Sequence, residues 1–239
     1  MDAPRLVALA RAGPASSGAS RPSRPRPARH AHHRPPPIGK QWRAQPPRGE
    51  DRGTSDFLET DRLVLRAFTA ADIDHLLALD NDPEVMRLIN GGRPASREPV
   101  GTRTLPRLLH DYPCREPRGY WAARERTTGA FLGWFEFRPL EEHGPAVVEL
   151  GYRLNQAAWG HGYATEGSRA LVHKGFAELG VERVTANTMA VNVRSRRVME
   201  KTGLSFVRNF TGDRPEAIED SEHGEVEYQL TRTEWKQPR

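Results

Sequence analysis

The sequence contains a single cysteine, Cys114, in 239 residues, so it can form neither an internal disulfide nor a multi-thiolate metal site. That fits a reducing compartment, and a cytoplasmic protein without a metal is expected. No apolar stretch approaches the ~18 residues a membrane-spanning helix needs. The Gly-Lys-Ser/Thr of a phosphate-binding P-loop is missing, as is the third glycine of a dinucleotide fingerprint. No internal repeat is visible. Cys114 follows Pro113 with no evident base beside it, which favours an inert thiol over a nucleophile.

Acidic residues are also scarce, but only at one end. Residues 1–55 hold 11 Lys/Arg against three acids, and 10 of the 20 prolines. The net charge of +5 therefore combines an arm of net +8 with a remainder of net −3. The arm has almost nothing to bury, cannot offset the entropy of ordering, and is expected to be disordered. Its plain reading is a solvated extension. The other readings are an Arg-rich transit segment or a non-specific nucleic-acid contact. His30, His32 and His33 belong to this arm, with no partner suggested around them. Two units are thus expected: an extension over 1–55 and a folded domain over 56–239, monomeric or homodimeric, with no membrane partner.

Within the domain, apolar periodicity alternates between strand and helix. Arg62–Phe68 alternates as a half-buried strand, and Thr69 with Asp72 opens a helix carrying Ile73, Leu76 and Leu77 on one face. Pro83 starts a second helix, and 96–111 is a further helical stretch. Gly119–Arg126, Ala130–Pro139 and Ala146–Leu154 read as strands, the first two joined by a hairpin turn at Thr127, Thr128 and Gly129. Ala164–Leu179 reads as a helix ended by Gly180, then Val184–Met189 as a strand, and Val193–Thr202 as a helix ended by Gly203. Ser205–Phe210 and Glu225–Leu230 close the chain as strands. The pattern implies a mixed α/β sheet of about seven strands, mostly antiparallel, flanked by helices.

One segment carries chemistry. Trp159, Gly160, His161, Gly162, Tyr163, Ala164, Thr165 and Glu166 lie between a strand and a helix. Glycines there permit positive φ and a close backbone approach, and the unpaired amides at the helix start make an anion site suited to a diphosphate. Taken alone, a Gly-x-Gly before a helix equally describes a tight turn packed on Trp159.

Further segments turn this into a family resemblance. The Gly160–Thr165 loop resembles the acyl-CoA loop of the GNAT superfamily of N-acetyltransferases, with Trp159 at the usual Gln/Arg place, Gly162 at the first Gly and Ala164 at the last Gly/Ala. The Trp is a departure from the general pattern but resembles the branch that acetylates N-termini of ribosomal proteins (RimJ/RimL type). Glu59–Arg66, Glu149–Leu154 and Asn192–Gly203 resemble that branch's first strand, fourth strand and Asn-x-x-Ser helix. Together they span roughly residues 57–235.

The resemblance implies a GNAT fold, splayed at the family's fourth and fifth strands, and direct transfer of an acetyl group from acetyl-CoA to a primary amine in a ternary complex. It implies that Tyr152, Arg153 and Leu154 offer backbone groups to the pantetheine arm, one of them an oxyanion donor. The diphosphate would fall to Trp159, Gly160, His161, Gly162, Tyr163, Ala164 and Thr165. It implies further that Asn192 bonds the pantetheine or amine region and that Ser195 reaches the thioester sulfur. The family's usual acid, a tyrosine, is replaced here by Met199, so Ser195 is the substitute acid. Glu149 and Glu136 are the candidate bases, with the acidic loop containing Asp213, Glu216, Glu219, Asp220 and Glu222 as an attractor for a cationic amine. The acceptor is a ribosomal or other protein N-terminus or a small amine. A second reading is a non-catalytic acyl-CoA-binding or ribosome-associated protein with a basic arm.

Overall fold

Alternating leucines at 63 and 65 commit β2 (Leu63–Ala67) to bury one face. In the computed structural model, which describes residues 56–112, 119–141, 144–211, 218 and 220–237, this strand pairs with β1 (Asp56–Glu59) and β3 (Gly119–Glu125). The expected arm over 1–55, Cys114, and Asp213, Glu216 and Glu219 lie outside the described residues. The sheet continues through β4 (Phe131–Glu141), β5 (Gly144–Leu154), β6 (Arg183–Met189), β8 (Glu225–Thr231) and β7 (Ser205–Phe210). Among the described residues it has eight strands, not about seven. The additional one is β1, whose four residues are too few to show a period of two.

All neighbours are antiparallel except β5 and β6. The parallel pair requires a crossover, supplied by α5 (Tyr163–Ala177). α5 packs Leu171, Val172 and Phe176 onto Phe135, Phe137, Val148 and Leu150. Gly167 and Gly175 allow this approach: a Cβ at either would stand 2.4 or 2.5 Å from the rings of Phe135 and Phe137. α6 (Val193–Thr202) lies on the same face, its C-terminus closed by Gly203 at φ 102°.

The opposite face carries α1 (Ile73–Asp80), α2 (Pro83–Asn90) and α4 (Leu105–Leu108), packed on Tyr120, Ala122 and Trp134, with α3 (Arg97–Pro99) burying no residue of its own. The helical stretch expected over 96–111 breaks into α3, a π turn and α4. α1 buries Leu76, Leu79 and Asp80, whereas Ile73 and Leu77 are only partly buried. Asp72 closes the expected capping box with Thr69 and also binds Arg66 at 2.6 Å. A short α7 (Arg232–Trp235) follows β8. Among the described residues no helix is long and apolar enough to cross a membrane.

Candidate active site

β5 and β6 pair only through Val147–Arg183, Val148–Val184 and Glu149–Thr185. Beyond Glu149 the strands part, although β5 runs on to Leu154 and β6 to Met189. This is the splay the family resemblance implies, with Tyr152, Arg153 and Leu154 on one lip. Side chains alternate along a strand, so the two lips present different chemistry on the two faces of the sheet.

On the α5/α6 face lies the loop before α5. Gly160 and Gly162 have φ of 78° and 85°, and a Cβ on Gly160 would meet nothing within 4 Å. Gly162 is the N-cap and has no side chain to bond the first-turn amides. The first helical bond is Glu166 N–H to Gly162 O at 3.0 Å, so the amides of Tyr163, Ala164 and Thr165 precede it. Open backbone and a positive helix end suit a diphosphate. Trp159 donates its indole N–H to Leu154 O at 2.9 Å and lies 5.5 Å from the Arg194 guanidinium, tying the loop to the lip of β5 and to α6. The side chain of His161 is exposed, and its carbonyl accepts from Arg62.

α6 begins at Asn192, whose Oδ1 accepts from Ser195 N–H at 3.1 Å while its Nδ2 donates to Thr188 Oγ1 at 3.1 Å. Both ends of this amide are engaged within the protein, so the cap that holds α6 against β6 is Asn192. Ser195 does not use its hydroxyl as a cap. Its Oγ lies 3.0 Å from the Tyr152 hydroxyl across the splay. Burial pushes the Tyr152 phenol up to about 12, opposed by the bond to Ser195. Met199 is core. Tyr152 was expected to act through its backbone, and its side chain is the feature that sequence reasoning missed.

The other face carries the carboxylates. Glu149 has no exposed surface and Glu136 is 2% exposed. Arg138 joins them: its Nε donates to Glu136 Oε1 and its Nη2 to Glu149 Oε2, each at 2.5 Å. The Tyr120 hydroxyl also donates to Glu136 at 3.1 Å. Glu136 covers Gly151, where a Cβ would come within 2.9 Å of its Oε2. Burial and the charge of Glu136 push the Glu149 carboxyl up to about 8, against the pull of Arg138. Burial likewise raises Glu136, with Arg138 opposing.

Asn187, on β6 past the last β5–β6 pair, donates Nδ2 to Glu149 Oε1 at 3.4 Å. Its buried Oδ1 has no partner among the described residues. Arg138 can be read from the sequence only as sharing a strand face with Trp134 and Glu136, since the three alternate along β4. Asn187 carried no signal beyond being polar on an alternating strand. Arg153 points its side chain into this face, binding Asp80 at 2.5 Å beneath Trp134. Of the acidic loop, Asp220 caps the turn at Ser221–His223 and Glu222 lies within it, on no strand.

A family model described as an acetyltransferase (GNAT) domain matches residues 62–205, more than half of the chain. A protein from Aspergillus fumigatus named FsC-acetyl coenzyme A-N(2)-transacetylase is 34% identical over 185 residues, covering 74% of this chain and 77% of that protein. The uncharacterized protein YkkB of Bacillus subtilis is 33% identical over 154 residues, covering 62% of this chain and 85% of its own. An acetyltransferase (GNAT family) structure from Bacillus anthracis superposes with a TM-score of 0.60 at 22% identity, covering 73% of this chain and 98% of that one. The aminoglycoside acetyltransferase AAC(6')-Ib, solved with coenzyme A, gives a TM-score of 0.57 at 20% identity, covering 73% and 97%. The last two likenesses concern the fold.

Proposed function

The chain belongs to the acetyltransferase (GNAT) family, and from that membership we propose an enzyme that moves an acetyl group from acetyl-CoA to a primary amine. The observation that carries this reading is the splay, with an open anion-binding loop on one face and a buried, elevated carboxylate on the other. The residues present fit acetyl-CoA: Gly160 and Gly162 leave the backbone bare beside the first amides of α5, and the lip of β5 is free of β6. When bound, acetyl-CoA supplies the activated thioester carbonyl.

Glu149 is the base. A carboxyl near 8 is part-ionised at neutral pH, and it takes the proton of the incoming ammonium through water, since it is fully buried. The unpartnered Asn187 Oδ1 beside it accepts an amine N–H. Glu136 holds Arg138 and supplies the negative charge that helps keep Glu149 elevated. On the other face the Tyr152–Ser195 hydroxyl pair holds the proton for the departing sulfur, which replaces the tyrosine absent at Met199.

Because Tyr152 stays protonated up to about 12, kcat rises with pH as Glu149 ionises and has no falling limb below that value. Tyr152→Phe and Ser195→Ala are each expected to lower kcat about tenfold with the KM for acetyl-CoA unchanged. The double variant falls no further than either single one, because the hydroxyls act as a unit. Losses that multiply would separate their roles.

The acceptor is a primary amine. The RimJ/RimL-type resemblance favours a polypeptide N-terminus, and the relative named as an acetyl coenzyme A-N(2)-transacetylase favours transfer to an amine nitrogen designated N(2). Thiol release from acetyl-CoA, measured over a panel of ribosomal N-terminal peptides and small primary amines, tests the proposal. Release should require an acceptor and give one N-acetylated product per thiol. Tight acetyl-CoA binding with no release for any amine would favour a non-catalytic binding protein instead.

A further inference from the structure

The turn between β1 and β2 grips the loop before α5 and the first turn of that helix. Thr60 Oγ1 donates to Glu166 Oε1 at 2.6 Å, and the Arg62 backbone N–H donates to the same oxygen at 3.0 Å. Arg62 Nε donates to Glu166 Oε2 at 2.7 Å, and its Nη2 lies 2.5 Å from that oxygen. Arg62 Nη1 donates to His161 O at 2.9 Å, and the guanidinium lies 4.7 Å from the Tyr163 ring centre. One arginine thus holds the residues before and after Gly162. A Cβ on Gly162 would stand 3.5 Å from Arg62 Nη2.

The charge at Glu166 makes this more than a brace. Glu166 lies in the first turn of α5, where the positive helix end attracts any anion, including its own carboxylate. Burial raises this carboxyl, but the Thr60 hydroxyl and Arg62 outweigh burial and hold it below the usual range, so it is ionised at working pH. An unpaired carboxylate there repels a diphosphate at the same helix end.

We propose that Arg62 is a positioning residue for acetyl-CoA, fixing the Gly160–Tyr163 loop while neutralising Glu166 so that the helix end stays attractive to the diphosphate. This rests on reading that loop as the diphosphate site. The glycine motif itself does not point to it, because Arg62 lies about a hundred residues earlier in the chain.

The test is a cycle of Arg62→Ala, Glu166→Gln and the double variant, with acetyl-CoA binding followed by calorimetry and turnover followed separately. Arg62→Ala should weaken acetyl-CoA binding about tenfold, leave kcat within about twofold, and lose less affinity as salt rises from about 0.05 to about 0.5 M. Glu166→Gln should change affinity less than about threefold, and the double variant should bind several times more tightly than Arg62→Ala. Arg62→Lys, which keeps the charge without the fork, should fall between wild type and Arg62→Ala and guards against misfolding of the alanine variant. A double variant as weak as Arg62→Ala would overturn the charge role, and unchanged affinity in Arg62→Ala would overturn the proposal. Wild-type protein that fails to bind acetyl-CoA would instead overturn the reading of the loop itself.

Discussion

Glu149→Gln is expected to lower kcat by about 10²–10³-fold while acetyl-CoA affinity stays at the wild-type value. Glutamine keeps the shape of the side chain and its one carbonyl oxygen can still accept from Arg138, but its amide nitrogen then faces Asn187 and it cannot take a proton. Arg138 retains Glu136 as a charged partner, so the variant is expected to fold. Wild-type kcat should climb through about 8 as Glu149 ionises, and the residual activity of the variant should lose that step. Stability offers a second readout with a definite sign. The Glu149 carboxyl is raised in the folded protein, which therefore keeps a proton that the unfolded chain releases. Wild-type stability should then fall as pH rises from the ordinary carboxyl range towards about 8, and that slope should be shallower in the variant. Unchanged turnover together with a shallower slope would make Glu149 a structural partner of Arg138 and remove it as the base.

Legibility in the sequence followed the range of the interaction. Helix α6 is bounded by a side-chain cap and a glycine within one short stretch, so its limits at Val193 and Thr202 can be read locally. β2 and the β3–β4 hairpin are similarly written in alternation and turn residues. β1 escaped because four residues carry no period and their partner is supplied by tertiary pairing. The site divided the same way. The glycine loop could be found because backbone conformation demands those residues in order. The Tyr152–Ser195 contact joins positions 43 apart across the splay, and the Asn187–Glu149 contact joins positions 38 apart, so neither leaves a local trace. On α1 the apolar pattern marks Leu76 but not Asp80, which is buried because Arg153 reaches it from β5.

That pair underlies the largest expected effect on stability. Arg153 is 5% exposed and Asp80 2%, and the cation also lies 5.1 Å from the Trp134 ring. Asp80→Asn should therefore reduce unfolding free energy by about 3–5 kcal/mol, because it leaves an uncompensated cation in the interior. Replacing both, as Asp80→Leu with Arg153→Met, should regain most of that loss, since the desolvation cost disappears together with the attraction. Denaturant unfolding of the three proteins measures this directly. A loss under about 1 kcal/mol in Asp80→Asn would mean that another carboxylate, Glu136 being the one whose charge also acts on Arg153, takes over the cation. The consequence should extend to function through the backbone. Arg153 is held on the lip of β5 that parts from β6, and Asp80 fixes that lip to α1. Any acetyl-CoA affinity lost in Asp80→Asn should be recovered in the double variant along with its stability, because the repaired core restores the strand even though the ion pair is gone. Stability restored without affinity would instead assign the Arg153 cation a direct part in binding.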